Sequence, residues 1–406
     1  MIRRLPLLAL GLLVAAPAAI AQETPVTIRA ARLIDGAGGV HEGVTITVQG
    51  SRITDVSAGG AGVRATYDLS ALTVLPGLID THVHLTAHFD ADGRTHDDPD
   101  ESPARTILHA AENAYATLMA GFTTVQSLGS PLDLDLRDAI ARGTLPGPRV
   151  LTSVRPVTAG TGSPAAIRAF VRELAADGAD VVKVFASASI REGGGLVMTD
   201  AQLRAVCGEA AAQGLRTVVH AYGTDGVTAT VEAGCGGIEH GNRYNDATIE
   251  LMAERGTYLD PHVGSLWANY FEHRPRFIGL GNYTEEGFAL MEEARVVGYD
   301  TFRRTLAHGG VRVVYGTDAV AGAHGRNAEE LVYRVRDGGQ DPLDAIVSAA
   351  SLAAESLGLA DRIGTVRAGY QADLIAVAGN PLDDIMAMRD VRFVMKGGVV
   401  FRNVAR

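Results

Sequence analysis

The chain alternates between two hydrophobic periods. Near each end it reads as short runs rich in Val, Ile and Thr that are broken by glycine turns. Examples are "VTIRAARLID", "GVTITVQGSRITDVS" and "ATYDLSALTVLP" at one end, and "ADLIAVAG" and "VRFVMKGGVVFRN" at the other. Such runs predict strands. Between them, apolar runs that end in polar residues precede segments with apolar positions three and four residues apart. The runs are "VLPGLIDTH", "FTTVQSLG", "RVLTS", "VVKVFAS", "TVVHAY", "GIEHG", "TYLDPH" and "VRVVYGTDA". The helical segments include "ARTILHAAENAYATLMAG", "AAIRAFVRELAADG", "AQLRAVCGEAAAQG" and "ATIELMAERG". Ser163-Pro164 supplies a helix start, and Gly178, Gly214 and Gly256 supply stops.

Eight strand–helix units predict an α/β chain with a (β/α)8 TIM-like barrel over residues 75–367. The strand-rich ends, 22–74 and 368–406, predict one small β-sandwich module built from both termini. The polar stretch "HFDADGRTHDDPDESP" reads as a loop over one end of the barrel.

Composition narrows the picture. The 406 residues, 47% of them hydrophobic, suffice for one large barrel and a smaller module. A formal net charge of −11 argues against nucleic acid as a partner. The first residues, "MIRRLPLLALGLLVAAPAAIAQE", combine Arg3 and Arg4 with roughly a dozen apolar residues and the small-x-small end Ala19-Ile20-Ala21. Residues 1–21 therefore read as a signal peptide, and the mature protein as exported, periplasmic or secreted, with no membrane attachment after cleavage. An uncleaved anchor is the alternative, but the stretch is short of the ~20 residues a span needs. Cys207 and Cys235 are too few for a disulfide scaffold and are expected as two buried thiols, with a disulfide the alternative.

The candidate chemistry gathers where barrels of this type carry their sites, at the C-terminal strand ends. His82 and His84, two apart in "GLIDTHVHL", point to the same side. Lys183 lies in "VVKVF", His220 and His240 end the fifth and sixth strands, and Asp318 follows the eighth. Each has an ordinary alternative: a hydrogen-bonded structural histidine, a snorkelling lysine, an aspartate capping the next helix. Together they form a donor set that suits a divalent transition metal such as zinc. An ammonium at Lys183 would be repelled by a dication, whereas a neutral amine that captured carbon dioxide would become an anionic carbamate able to bridge two metals.

With "LPGLIDTHVHL", "AGFTTVQSLG", "ARGTLPGPRVL", "GIEHGN", "AGYQADLIAVAGNPLDDI" and "VRFVMKGGVV", this set resembles the binuclear amidohydrolase superfamily, in its imidazolonepropionase-related branch. That branch holds Xaa-Pro dipeptidase-like enzymes and metallo-carboxypeptidases, and exported ochratoxin-hydrolysing amidases are similar. The resemblance runs from about residue 27 to 403. It implies two divalent metal ions, most simply zinc. His82, His84 and Asp318 would hold one, His220 and His240 the other, and carbamylated Lys183 would bridge them. The implied reaction is amide or peptide hydrolysis by a hydroxide held between the metals. Asp318 moves the proton and Tyr222 hydrogen-bonds the oxyanion; the alternative for Tyr222 is a wall residue. By analogy the chain is a homo-oligomer.

The first expectation is a dipeptidase or carboxypeptidase-like enzyme. The alternative is an amidase for N-acyl aromatic amino acids such as ochratoxin A, with Tyr222, His262 and Trp267 as aromatic contacts. Lactone or phosphotriester hydrolysis and a non-catalytic periplasmic metal-binding protein are weaker alternatives. The chain departs from the branch in three places: the short "LTSVRPVTAGTGSPAAIR" has no histidine, Tyr222 stands where a second His is common, and His262 ends the seventh strand. His262, Arg191 and Arg243 are therefore candidate substrate contacts, the arginines for a carboxylate; ordinary surface or loop roles are the alternative.

Overall fold

The computed structural model describes residues 24–59, 64–95 and 101–404. The proposed signal peptide lies outside them. Four strands open the chain: β1 (Val26–Ile34), β2 (Val40–Gln49), β3 (Arg52–Ala58) and β4 (Tyr67–Pro76). Eight short strands follow, β5 (Leu78–Val83), β6 (Phe122–Ser127), β7 (Arg149–Thr152), β8 (Val181–Phe185), β9 (Arg216–Gly223), β10 (Gly237–Arg243), β11 (Tyr258–Asp260) and β12 (Arg312–Val313). The chain ends in β13 (Leu374–Ala378), β14 (Val391–Lys396) and β15 (Val399–Asn403).

Strands β5 to β12 coincide with the eight apolar runs of the sequence. They pair in parallel, in chain order, as β5-β6-β7 and β8-β9-β10-β11-β12. Their interiors are buried almost without interruption, as expected of strands covered by helices on one side and by each other's side chains on the other. Backbone hydrogen bonds also join the two groups. Val157 N–H donates to Lys183 O at 2.8 Å, Thr81 N–H to Tyr315 O at 2.9 Å, and His84 N–H to Ala319 O at 2.9 Å. The arrangement is α/β and TIM-barrel-like. β12 pairs with β11 over only two residues, and Val314 N–H continues the contact to Leu259 O at 2.9 Å.

The helices follow their capping signals. Ser163 accepts from Ala166 N–H ahead of Pro164, and Gly178 ends that helix in the left-handed region at φ 88°. Gly256 ends Asp246–Arg255 in the same way, and Gly214 lies one residue beyond the cap at Gln213. Among the described residues no helix is long and apolar enough to cross a membrane.

The chain ends do come together, but in one continuous seven-stranded sheet, β15-β14-β13-β4-β1-β2-β3, where the sequence suggested a sandwich. The ladder between β13 and β4 joins the two termini, so no break in hydrogen bonding separates two layers. The sheet curls on itself. Ile53 N–H donates to Tyr370 O and Ala372 N–H to Ser51 O, which brings the β2–β3 hairpin against the approach to β13. Ile28, Val44, Ile46, Ile53, Leu374 and Phe393 share its core.

Cys207 and Cys235 form a disulfide with Cα atoms 5.1 Å apart, which corrects the expectation of two thiols. The first lies within the helix Asp200–Ala212 and the second shortly before β10. The adjacent packing of their elements brings both buried side chains face to face.

Candidate metal centre

The histidines two apart in β5 do converge. His82 Nε2 lies 3.3 Å from His84 Nε2, and Asp318 Oδ1 is 3.3 Å from the first and 3.0 Å from the second. Lys183 Nζ, from the middle of β8, lies 3.2 Å from His82 Nε2. The rings of His220 and His240, presented by β9 and β10, have centroids 4.6 Å apart, and His240 is 5.8 Å from His82. All six residues line one cavity of about 220 Å³. Phe185, Ser189, Ile190, Arg191, Tyr222, Leu266, Trp267 and Tyr270 form much of its remaining wall.

The backbone is strained at this point. Four described non-glycine residues have left-handed φ, and three are His240 (73°), His262 (46°) and Asp318 (50°). Such conformations cost of order 1–3 kcal/mol each and persist where the surroundings enforce them. Gly316 is required by the same crowding, since a Cβ there would overlap the Asp260 carboxylate.

The donor set fits metal ions on its own chemistry. The 2.6 Å contact between His82 Nδ1 and Glu239 Oε2 assigns the Nδ1 proton to a bond donated to the carboxylate. The Nε2 lone pair is then free to face the site, the arrangement by which ligating histidines are oriented. Burial holds His82 and His240 far below the ordinary imidazole range and pushes His220 down to about 3, so all three are neutral donors. Burial also lowers Lys183, against the pull of Glu239 and Asp318. Burial would raise the Asp318 carboxyl, but His82 and His84 hold it well below the usual range. Burial raises the Tyr222 phenol, which stays protonated; its ring stacks on His240 at 4.8 Å.

Beneath these residues lies a charged layer that sequence reasoning missed. Asp80 accepts from His82 N–H, from Thr317 N–H and Oγ1, and from Asn327 Nδ2, tying the segment of His82 and His84 to that of Asp318. Glu239 holds His82. Asp260 accepts from Thr81 Oγ1 at 2.9 Å and pairs with the fully buried Arg334 at 3.1 Å. Arg334 also meets Glu330 at 3.3 Å, whose carboxylate accepts from the N–H groups of Val263, Gly264 and Ser265. The available signal was a charged residue inside an apolar strand run, as in "GLID", "GIEHG" and "TYLD".

Two sequence candidates lie elsewhere. His262 is not at the cavity wall but below it, where its Nδ1 lies 3.0 Å from His240 Nδ1 and its Nε2 3.3 Å from Asp260. Its left-handed backbone accompanies a ring packed against both His82 and His240, at 4.8 Å from each. Arg243 lines a neighbouring cavity, bonds Gly193 O and faces Glu293, away from the candidate ligands. Arg191 does reach the wall. Its Nε donates to Asn282 Oδ1 at 2.7 Å, and its guanidinium lies over Tyr283 at 4.0 Å and Tyr270 at 5.6 Å.

Comparison with known proteins agrees with this geometry. The model of the Amidohydrolase family matches residues 73–401. Ochratoxinase of Aspergillus niger is 28% identical over 390 residues, covering 84% of this chain and 78% of that protein. The solved structure of a Xaa-Pro dipeptidase with methionine bound in its active site is 30% identical. It superposes with a TM-score of 0.84 over 94% of this chain and all of that one. The crystal structure of A. niger ochratoxinase has the same fold, with a TM-score of 0.82 and 24% identity over 94% of this chain and 96% of that one. The match over most of the chain, joined to a neutral imidazole, lysine and carboxylate set at the strand ends, means that the chain belongs to the amidohydrolase family, as a metal-dependent hydrolase of carbon–nitrogen bonds.

Proposed function

We propose that the protein hydrolyses the amide bond of a small substrate that carries a free carboxylate next to a bulky apolar or aromatic group. Dipeptides and N-acyl amino acids are the substrate classes. The observation that carries the reading is the convergence of His82, His84, Lys183, His220, His240 and Asp318 on a cavity that also holds one arginine and an aromatic wall.

His82, His84 and Asp318 would hold one divalent cation and His220 and His240 a second, with Lys183 between them as a carbamate. Zinc is the proposed metal. When bound, such ions supply Lewis acidity and lower the pKa of water. Asp318, kept ionised, takes a proton from the attacking water and returns it to the leaving amine. Tyr222, kept protonated, donates a hydrogen bond to the oxygen of the former carbonyl as charge builds there. Arg191 pairs with the substrate carboxylate, its guanidinium already positioned by Asn282 and Tyr283. Trp267, Tyr270 and Phe185 take the apolar group. The likeness to the Xaa-Pro dipeptidase supports the peptide reading first, and the kinship with ochratoxinase and the aromatic wall support an aromatic acyl group as the second reading.

Export is part of the proposal. Its support is the N-terminal pattern of Arg3, Arg4 and Ala19–Ala21, together with the Cys207–Cys235 disulfide. Self-association into a homo-oligomer is proposed on family analogy.

The test is a screen of dipeptides and N-acyl amino acids with zinc and bicarbonate, reading released amine, run beside Asp318→Asn and Arg191→Met. Asp318→Asn should lose roughly 10²–10⁴-fold in kcat. Arg191→Met should raise KM for carboxylate-bearing substrates and leave their amide analogues unaffected. A variant Asp318→Asn within a few-fold of wild type removes Asp318 from the chemistry. Equal losses on acids and amides remove Arg191 from carboxylate recognition.

A further inference from the structure

A cavity of about 620 Å³ lies where the terminal sheet meets the barrel. One wall is the β14–β15 hairpin, and the other is the end of the helix Asp133–Ala141, the loop after it and the start of β7. The volume falls within the range of about 300–1,000 Å³ typical of small-molecule sites. The cavity shares no lining residue with that of the candidate metal centre. We propose that it binds a small amphipathic carboxylate, with Lys396 and Arg149 holding the anionic head and Leu145, Val399 and Phe401 the apolar body.

The hairpin builds its wall from register. Gly397 and Gly398 form the turn at φ 55° and 79°, a left-handed pair that suits a two-residue hairpin. Lys396 pairs with Val399 across the ladder, so their side chains stand on one face. Phe401, two residues after Val399, shares that face. An ammonium therefore stands beside two apolar side chains, and Val399 is 58% exposed. From the barrel side, Ile140, Leu145 and Val150 add apolar surface, and Arg137 and Arg149 add charge.

The balance of charge selects an anion. The chain carries a net −11, yet three of the residues lining this cavity are cationic and, among the described residues, none is acidic. Two of the cations have acid partners beyond the wall. Arg137 donates to Asp180 Oδ2 at 3.1 Å, and Arg149 Nη1 to Asp373 Oδ2 at 3.0 Å. Lys396 Nζ instead donates to Gly147 O at 2.5 Å, and among the described residues no carboxylate forms an ion pair with it. The other oxygen of Asp373 accepts from Gly397 N–H at 2.7 Å. Burial, with Arg149 nearby, pushes the Lys396 amine down to about 8. A carboxylate between the two cations would offset their repulsion and favour the charged amine. Arg149 has donors to offer, since among the described residues only its Nη1 is hydrogen-bonded.

The apolar wall defines the rest of the ligand. A bare inorganic anion would leave Leu145, Val399 and Phe401 facing water. A purely apolar molecule would cover Lys396 without supplying a counter-charge. A carboxylate on an apolar body matches both halves of the cavity. Bound there, it ties the β14–β15 hairpin to the barrel.

The test is calorimetric titration of the zinc-loaded protein with decanoate below its micelle concentration, beside decanol and decyltrimethylammonium. Decanoate should bind at least tenfold more tightly than either. Lys396→Met should weaken decanoate about 10–100-fold, as for the loss of one charge-assisted hydrogen bond. Val399→Asp puts a carboxylate at the exposed rim, where the fold tolerates it, and should also weaken decanoate at least tenfold. The catalytic cavity holds an arginine and an apolar wall too, so Arg191→Met is titrated in parallel and should keep the Lys396-dependent binding. Circular dichroism checks folding. Absence of saturable decanoate binding overturns the proposal, as does equal affinity for decanol. Affinity unchanged in both Lys396→Met and Val399→Asp overturns it as well. Binding lost in Arg191→Met but kept in Lys396→Met assigns the carboxylate to the catalytic cavity and overturns it. A wild-type oligomer that binds no decanoate and dissociates in Val399→Asp shows that a second copy fills the cavity, and the proposal fails.

Discussion

Glu239 lies one residue from the candidate ligand His240 but contacts His82, on a different strand. Its Oε2 is 2.6 Å from His82 Nδ1, and the residue is 2% exposed, so the contact is dry. Glu239→Ala removes both the acceptor that orients the imidazole and the negative charge that raises its basicity. Glu239→Gln retains an acceptor and loses only the charge. Partners of this kind are worth about 10–100-fold in metal affinity, or roughly 1.4–2.8 kcal/mol. The enclosed geometry puts the alanine variant near the upper end and the glutamine variant near the lower. Competition for zinc against a chromophoric chelator reads the affinity directly. Thermal melts of apo and zinc-loaded protein give a second readout, because a 100-fold weaker site forfeits up to about 2.7 kcal/mol of ligand-linked stabilisation. The comparison of loaded with apo protein cancels any packing cost of the substitution. If Glu239→Ala binds zinc within twofold of wild type, His82 is not held for metal by Glu239 and the reading of the buried layer is wrong.

Arg334→Met should destabilise by about 3–5 kcal/mol in urea melts, because it leaves Asp260 and Glu330 buried without their cation; a loss under about 1 kcal/mol would count against a charged layer. Reducing Cys207–Cys235, or replacing both with Ser, frees a loop with a sequence separation of 28 and should cost about 3.5 kcal/mol at equal pH, with unchanged stability refuting the pairing in solution. Burial, with Arg149 nearby, pushes Lys396 down to about 8 from 10.5. Between those values the unfolded chain binds more protons, so this residue makes stability rise with pH over that window. Lys396→Met should therefore show its most favourable Tm relative to wild type near neutral pH, and the difference should shrink towards pH 10.5. A pH-independent difference removes the linkage.

The eight central strands were legible because each is a short apolar run with a polar end, and a parallel strand buried on both faces has to read that way. The candidate ligands could be picked out for a related reason. His82 and His84 share a side by the period of two, and His220, His240 and Asp318 stand at run ends whatever the register between strands. The layer below was not legible because it depends on that register. Glu239 precedes His240, and nothing local says that its carboxylate reaches His82, which is 157 residues away in sequence. The partners of Asp260 and Arg334 are likewise set by packing across the interior. The misreading of His262 has a narrower cause. Its position after β11 suggested the cavity, by the same end-of-strand argument that worked for His220. At φ 46° the backbone leaves the strand geometry on which that argument rests, and the ring packs under His240 instead. His240 and Asp318 have equally unusual backbones, at φ 73° and 50°, and their side chains nevertheless line the cavity to which the end-of-run argument assigned them. Strand period alone is therefore a sound guide to a site only up to the last residue in regular strand geometry. In this chain, strained positions near that limit are where the side chains of His240, His262 and Asp318 are held.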